Sequence, residues 1–280
     1  MKINVWGCRG SLPTPGAHTT HFGGNTTCIE VRLNDRTVII FDAGSGIRRL
    51  GKKLAADPNL KVIHLVLTHA HWDHLMGFPF FAPAYIKRFT IHVRGGPTAK
   101  QSLRGYLKQQ MKTPFFPVPF DAMKACFNFT QGEPKVRSIG SAELIPIRMS
   151  HPGNCYGFKL VENHKQFVFF TDHELRFRHK KALWRDEYLE FCQGTDLLFH
   201  DAQYTEKEYS NTRGWGHSTI MDTVNFGVEA KVKSLGLFHH DPDRTDHQIA
   251  ELEKMARDHV RAKRADMECY AVREGMIVDF

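Results

Sequence analysis

Four residues able to bind a metal ion are concentrated in the stretch THAHWDH, residues 68–74. His69, His71, Asp73 and His74 follow directly after the apolar run VIHLVL, which is typical of a buried strand. Imidazole nitrogens and carboxylate oxygens are the groups that zinc and similar divalent ions prefer in proteins. A histidine-rich surface turn is the alternative, but so many ligand types at one strand end favour a metal site.

The spacing of these four residues suggests two ions rather than one. A loop that turns after His69 can direct His69 and His71 at one ion, and Asp73 and His74 at a second. In a two-metal site, one ion generates hydroxide and both stabilise the charge that develops during the reaction. This chemistry suits the hydrolysis of phosphate or acyl esters.

Metal-binding residue types also follow other apolar runs. QFVFFT leads to Asp172, LLF to His200, and LGLF to His239 and His240. The strands of a parallel or mixed sheet end along one edge, where ligands usually bind. We therefore expect one site to be assembled from several strand ends that lie far apart in the sequence.

The elements that would position these residues are short β-rich runs, which are separated by helical stretches in the second half. They are CIEVRL, TVIIFD, VIHLVL, FTIHVR, AELIPIRM, QFVFFT, DLLFH and SLGLFH, with one further strand near each end of the chain. Apolar periodicity predicts a helix over 218–230, capped by Ser218. It predicts another over about 246–264, where Thr245 and Gln248 have capping-box spacing. Two packed sheets covered by outer helices would satisfy this pattern.

The composition is that of an ordinary globular protein, with 280 residues, 41% of them apolar and 24% charged. No linker or repeat divides the chain, which predicts a single domain over 1–280. No apolar run approaches the roughly 20 residues of a membrane span, and no signal-peptide core is visible, so we expect a cytoplasmic protein that does not bind membranes. The six scattered cysteines predict free thiols. The net charge of +8 favours an anionic partner.

The segment 105–136 interrupts the strand pattern. Within it, TPFFPVPF (113–120) carries three prolines and three phenylalanines and is too interrupted for a central strand. Three interpretations stay open: a loop packed on the core, a lid or wall beside the active site, and a contact between the subunits of a homodimer.

THAHWDH is similar to the HxHxDH signature of the metallo-β-lactamase superfamily, and the other motifs of that superfamily follow in order. IIFDAGSGI resembles the first motif, whose Asp42 orients the metal loop. MSHPG supplies His151, FFTD supplies Asp172, and LGLFHH supplies His239, with His240 as the alternative. The resemblance implies an enzyme, a metal-dependent hydrolase. It also implies an α/β (α+β) fold, the αββα sandwich of two mixed β-sheets flanked by helices.

By this resemblance, seven side chains bind two divalent ions, which we expect to be Zn²⁺, with Mn²⁺ as the alternative. The ligands are His69, His71 and His151 for the first ion, Asp73, His74 and His239 for the second, and Asp172 as a bridge between them. Asp73 is in addition a candidate catalytic residue.

DLLFHDAQY (196–204) and the GHST motif that follows it resemble the ribonuclease Z-like, phosphodiesterase branch of the superfamily. In that branch the histidine of an HST motif stabilises or protonates the leaving oxygen of a phosphodiester, and the acid of an HEAT motif orients this histidine. The corresponding candidate catalytic residues here are His217 and Asp201. A role of His217 confined to the first turn of its helix is the alternative.

The chain departs from that branch in two respects. Asp201 stands where the tRNA-processing enzymes have glutamate. In addition, the intervals 152–171 and 173–199 are too short for the long arm with which those enzymes hold tRNA. We therefore predict a phosphodiesterase that acts on a small anionic phosphodiester or a cyclic nucleotide.

Three other functions remain possible at this point. One is a nuclease acting on RNA or DNA, for which Arg94, Lys100, Arg104 and Lys108 would supply a basic groove. A hydrolase of another ester or lactam class is the second. The third is a non-catalytic, metal-bound sensor.

Overall fold

The computed structural model describes residues 1–96, 103–130 and 132–280. The strands of this described part are β1 (Lys2–Gly7), β2 (Cys28–Arg32), β3 (Val38–Phe41), β4 (Val62–Leu67), β5 (Thr90–Gly95), β6 (Cys126–Phe129), β7 (Arg137–Ile139), β8 (Ala142–Arg148), β9 (Tyr156–Glu162), β10 (Lys165–Phe170), β11 (Leu197–Asp201), β12 (Ser234–Phe238), β13 (Glu268–Ala271) and β14 (Ile277–Asp279). Its helices are α1 (Ile47–Ala56), α2 (Trp72–Leu75), α3 (Leu103–Gln110), α4 (Arg185–Cys192), α5 (Glu206–Thr212), α6 (Ile220–Glu229) and α7 (Asp246–Ala262). Short 3-10 turns lie at Ala17–Thr19, Phe78–Phe80, Ala82–Tyr85 and Phe120–Ala122.

The strands form two mixed sheets of seven strands each. The first has the order β14-β1-β2-β3-β4-β5-β6, antiparallel from β14 to β3 and parallel from β3 to β6. The second has the order β13-β12-β11-β10-β9-β8-β7, parallel from β13 to β10 and antiparallel from there to β7. The parallel strands of each sheet therefore end at a common edge, where ligand-binding residues are expected.

An aromatic core fills the space between the two sheets. The ring of Phe41 on β3 lies with its centroid 5.9 Å from that of Phe158, 6.2 Å from that of Phe167 and 5.4 Å from that of Phe169. These four side chains are almost completely buried. Because each buried phenylalanine contributes about 1.5–3 kcal/mol, this cluster holds the sheets, and the residues at their ends, in a defined relative position.

Helices cover the outer face of each sheet. Leu50 of α1 shares an apolar cluster with Ile40 and Leu65 of the first sheet. On the other side, Val224 of α6 shares a cluster with Leu235 of the second sheet. The layers run helix, sheet, sheet, helix, which confirms the predicted αββα sandwich of the α/β (α+β) class.

The strands predicted from apolar runs are all present, with ends that differ by only a residue or two. Strands β6, β7, β9 and β13 were not predicted, nor were helices α1 to α5. The signal for β9 was available, since Tyr156, Phe158 and Leu160 alternate and all face the inter-sheet core. The short helices are stabilised mainly by packing on the sheets, which a local pattern does not reveal.

The predicted helix caps are correct for one helix and wrong for the other. Thr245 and Gln248 form the predicted capping box of α7. Helix α6, however, is capped by Thr219, whose hydroxyl accepts a hydrogen bond from the Asp222 amide, and not by Ser218. The Ser218 hydroxyl donates instead to the carbonyl oxygen of His173. It is therefore used in a tertiary contact and is not available to cap the helix.

The segment 105–136 packs on the first sheet. Residues 113–120, all of which the structure describes, contain no strand, as predicted. Phe120 is buried and stacks on Phe78 at a centroid distance of 6.2 Å. The segment also supplies β6, the edge strand. Much of it therefore belongs to the outer core of this sheet.

The cysteines and the helices agree with the bulk composition. All six cysteines are free thiols, as predicted, and only Cys126 is exposed. Among the described helices, none combines the length and apolarity needed to cross a membrane.

Replacing Phe41 by alanine should lower the free energy of unfolding by about 3–5 kcal/mol, because it opens a cavity between the sheets. The matched control is Phe115→Ala, since the Phe115 side chain is 79% exposed, and its effect should stay within about 0.5 kcal/mol. Urea unfolding of both variants measures the difference. Equal losses would mean that the aromatic cluster does not hold the sheets together.

Candidate metal centre

The loop THAHWDH leaves β4 at Thr68 and enters α2, and one buried carboxylate fixes both of its ends. Asp42, at the end of the neighbouring strand β3, accepts hydrogen bonds from the Thr68 amide at 2.7 Å and the Thr68 hydroxyl at 2.8 Å. Its second oxygen also accepts from Nδ1 of His74 at 2.8 Å. The Thr68 oxygen lies 3.0 Å from Nδ1 of His69 and accepts from it. Asp42 thus orients the loop, as the sequence motif implied.

One cluster of ligand-type atoms is formed by residues of both sheets. His69, His71, His151 and Asp172 each offer one atom, and these atoms lie within 4.8 Å of one another. Nε2 of His69 is 3.6 Å from Oδ1 of Asp172, and Nε2 of His151 is 3.2 Å from Nδ1 of His71. This is the set predicted for the first ion together with the predicted bridging carboxylate.

A second cluster adjoins the first. Oδ2 of Asp73 lies 3.1 Å from Nε2 of His74 and 3.2 Å from Nε2 of His239. Oδ2 of Asp172 lies 3.2 Å and 3.5 Å from the same two nitrogens. Asp172 therefore directs one oxygen at each cluster, which is the geometry expected of a carboxylate shared by two ions.

Two adjacent histidines follow β12, and the directions of their rings show which of them faces the second cluster. Nδ1 of His239 donates to Oε1 of Gln203 at 2.9 Å, which leaves Nε2 facing the second cluster. His240 lies on the other side and donates from Nε2 to the carbonyl oxygen of Val272 at 2.8 Å. The geometry thus favours His239. Gln203 was not identified from the sequence, because nothing local distinguishes it from other polar residues.

The chemistry of the cluster fits divalent cations. Nε2 of His69, Nε2 of His74 and Oδ2 of Asp172 are buried and have no hydrogen-bond partner. A buried polar atom without a partner costs about 1–3 kcal/mol, so several together at one point are suited to a shared cationic ligand. Nδ1 of each of these two histidines is hydrogen-bonded on the side away from the cluster, as is usual for metal-binding histidines.

Metal binding needs ionised carboxylates and deprotonated imidazole nitrogens. Burial opposes protonation of His74, but the neighbouring carboxylates outweigh it and raise the pKa of this imidazole well above its usual range, so His74 must lose a proton to bind an ion. Burial lowers the pKa of His151 to about 3, although Asp172 acts in the opposite direction. Burial opposes ionisation of Asp172, but His239, His74 and His69 outweigh it and hold the pKa of that carboxyl well below its usual range. The carboxylate is thus ionised at neutral pH.

A histidine–aspartate pair lies beside the clusters. Nδ1 of His217, just before α6, is 2.7 Å from Oδ2 of the buried Asp201 at the end of β11. The His217 ring stacks on that of His239, with 4.9 Å between centroids. Burial alone would lower the pKa of His217, but the carboxylates, with Asp201 first, raise this pKa to about 9. Although His217 could share an ion with Asp172 and His239, its Nδ1 is already bonded to Asp201.

Glu174 organises the turn before His217, and this role was missed at the sequence level. The carboxylate is buried and accepts from the hydroxyl of Tyr209 and from the amides of Gly214 and Gly216, at 2.7–2.8 Å. The Gly216 carbonyl in turn accepts from Nδ1 of His151 at 2.9 Å. Gly216 has a φ of +101°, and a side chain there would overlap the His151 ring. A glutamate two residues after a strand-end aspartate was the only local signal.

Comparison with known proteins identifies the family. The family model described as "Beta-lactamase superfamily domain" matches residues 37–240. The chain belongs to this superfamily. A ribonuclease Z from Pyrococcus furiosus is 22% identical over 310 residues, covering 98% of this chain and 94% of the relative.

Two solved structures share the fold of this superfamily member. The metallo-β-lactamase fold protein YhfI from Bacillus subtilis has a TM-score of 0.70 at 17% identity, covering 99% of this chain and 98% of that one. A diphosphatase of the PhnP family has a TM-score of 0.69 at 17% identity, covering 100% and 97%. The predicted metallo-β-lactamase superfamily and its ribonuclease Z-like branch are confirmed, as is the prediction of a metal-dependent hydrolase.

We expect this superfamily member to bind two divalent ions per chain and Asp73→Ala to bind one, because that change removes a carboxylate from the second cluster only. Asp258→Ala, on the exposed face of α7, is the control and should keep both ions. Elemental analysis after dialysis against Zn²⁺ measures the content. A wild-type protein that retains one ion or none after this treatment would contradict the dinuclear assignment.

Proposed function

We propose that the protein hydrolyses a small anionic phosphodiester, the class to which cyclic nucleotides belong, at a centre of two Zn²⁺ ions. The observation that carries this proposal is the His217–Asp201 pair directly beside two ligand clusters. Its Nδ1–Oδ2 distance of 2.7 Å is that of a charge-assisted hydrogen bond. A phosphodiester with an alkyl leaving group releases a poor alkoxide, and a positioned acid supplies the proton that this oxygen needs.

The seven clustered side chains would hold the two ions. They are His69, His71 and His151 for the first, Asp73, His74 and His239 for the second, and Asp172 for both. When bound, such ions activate an attacking water and offset the negative charge of the phosphate. Asp73 would act in catalysis through this ligation.

The protein's own residues supply the acid. Because Nδ1 of His217 is bonded to Asp201, Nε2 is the nitrogen that can deliver a proton to the departing oxygen. Asp201 keeps the ring in that orientation and favours its protonated form, so it acts as a positioning residue. The Asp201 carboxylate is held in turn by the backbone, since its Oδ2 also accepts a hydrogen bond from the His173 amide at 3.2 Å.

Several observations support a small substrate. The interval 152–171 is occupied by the loop and hairpin of β9 and β10, and the interval 173–199 by a loop and α4. Neither interval extends from the fold as an arm. The cleft in front of His69, His71 and His151 has a volume of about 550 Å³, which is the size of a typical small-ligand pocket.

The segment 105–136 is proposed to form one wall of this cleft. Tyr106 of α3 is among the residues that line the cleft, together with Gly153 and Asn154. This supports the wall interpretation. A homodimer stays a prediction.

A nuclease acting on RNA is the second candidate, since the curated relative from Pyrococcus furiosus is named ribonuclease Z. The basic groove that was predicted for such a substrate has less support. Arg104 and Lys108 lie 3.6 Å and 2.9 Å from the carboxylate of Asp121, which offsets part of their charge. Arg94 is half-buried, and Lys100 lies outside the described residues. The small diester is therefore preferred.

A substrate panel tests the proposal. Bis(p-nitrophenyl) phosphate and a small nucleotide diester should be hydrolysed by the Zn²⁺-loaded protein, and chelation should abolish both activities. Nitrocefin and a tRNA precursor serve as comparisons for lactam and nuclease activity. Faster turnover of nitrocefin, or cleavage of the precursor at its 3′ side alone, would overturn the assignment in favour of those classes.

His217→Ala should lower turnover of a diester with an alkyl leaving group by roughly 10²–10⁴, the usual contribution of a positioned acid. The loss should be much smaller for p-nitrophenolate, which departs without a proton, and both ions should remain bound. Asp201→Asn should show a milder form of the same pattern. Parallel rate and metal measurements decide: a variant that loses metal, or loses both activities equally, would make His217 a structural residue.

A further inference from the structure

Basic side chains line the cleft together with the ligand-type histidines. Arg148, Lys180 and Lys181 line the same 550 Å³ cleft as His69 and His71. Among the residues described along this cleft, none is aspartate or glutamate. A cleft lined by charge of one sign attracts an oppositely charged ligand and concentrates it there.

The two lysines are presented by a turn that is tied down at each end. Before the lysines, the His179 amide donates a hydrogen bond to the Ser150 hydroxyl at 3.1 Å. The His179 ring donates from Nε2 to the buried Glu174 carboxylate at 2.9 Å. Beyond the lysines, the amide of Ala182 donates to the His179 carbonyl at 3.0 Å and closes the turn.

The backbone of this turn holds a conformation that is unfavourable for lysine. Lys181 has a φ of +67°, in the left-handed region that glycine or asparagine usually occupies. Such conformations cost of order 1–3 kcal/mol and are concentrated at functional sites, where the surrounding structure enforces them.

Arg148 is similarly held in place at the end of β8. Its guanidinium donates to Oδ1 of Asn154 and lies over the ring of Tyr156, 5.7 Å from the centroid. Its side chain is 16% exposed, whereas the carboxylate of Glu133, 3.8 Å away, is 73% exposed. An ion pair with so exposed a partner contributes little, and the planar guanidinium keeps donors that suit the oxygens of a phosphate.

We propose that Arg148, Lys180 and Lys181 form an anion-binding subsite for a second phosphate group of the substrate. This inference rests on the proposed phosphodiesterase function and narrows its substrate class. The scissile diester would lie at the ligand clusters, and a further phosphate on the same molecule would lie against the basic wall. The preferred substrate is then a short nucleotide diester with an additional phosphate, rather than a cyclic mononucleotide, which has one phosphate only.

The test is a binding measurement that needs no turnover. Adenosine 3′,5′-bisphosphate and adenosine 5′-monophosphate are titrated into the Zn²⁺-loaded protein by calorimetry at two salt concentrations. The bisphosphate should bind at least about tenfold more tightly, which is the contribution of one charge-assisted hydrogen bond. The advantage should shrink at high salt, as expected for a partly exposed site.

Variants assign this advantage to the basic wall. In Lys180→Ala/Lys181→Ala and in Arg148→Ala, the preference for the bisphosphate should fall by about tenfold or more. The matched control is Lys165→Ala/Lys233→Ala, which removes two exposed lysines that pair with Asp196, and its preference should equal that of the wild type. Equal affinity of the wild-type protein for both nucleotides, or equal losses for both in the lysine variant, would overturn the subsite.

The outcome is separable from that of the proposed function. Hydrolysis of bis(p-nitrophenyl) phosphate without any preference for the bisphosphate would refute the subsite and leave the phosphodiesterase intact. A clear preference in a protein that hydrolyses no diester would refute the phosphodiesterase alone. Preference for an oligonucleotide over the bisphosphate, with loss in the lysine variant, would replace the small substrate by a nucleic acid.

Discussion

The carboxylate of Asp172 lies between ligand-type histidines that are supplied by both sheets of this protein. One of its oxygens faces His69 from the first sheet and His151 from the second, and the other faces His74 and His239. Buried imidazoles and carboxylates of this density are stable only if their charges and hydrogen bonds are satisfied. The site therefore depends on strand ends from both sheets arriving within a few ångströms of this one group.

The rest of the fold can be understood as the means of achieving that convergence. The inter-sheet phenylalanine cluster determines how far apart the sheets lie, and the outer helices bury their other faces. Around the centre, Asp42 and Gln203 bond to the outward nitrogens of the histidines. Rigid support of this kind matters because ligands displaced by a small distance lose metal affinity or activity.

One further carboxylate, that of Glu174, joins the reactive and recognition parts of the site. It holds the turn that precedes His217, and it also bonds to His179 at the start of the turn that presents Lys180 and Lys181. The acid that would assist the leaving group and the basic wall that would bind a second phosphate thus share one anchor. If both proposals hold, Glu174 would couple the position of the substrate to the delivery of a proton to it.

The amino-acid sequence alone determined the fold class and the residues of the two ligand clusters. This was possible because strand ends are visible as apolar runs, and because the motifs around His69, His151 and Asp172 are local and resemble those of a known superfamily. The pair of Asp201 and His217 was predicted in the same way. Local patterns suffice when the chemistry and the strand that positions it are adjacent in sequence.

Only the tertiary structure decided the roles of the supporting residues. The choice of His239 over His240 depends on which way each ring points, and the roles of Gln203 and Glu174 depend on partners tens of residues away. Likewise, α6 is capped by Thr219 and not by the predicted Ser218, because Ser218 is used in a contact with His173. Hydrogen bonds between distant segments form only after the sheets have packed, so no pattern within a short stretch of sequence encodes them.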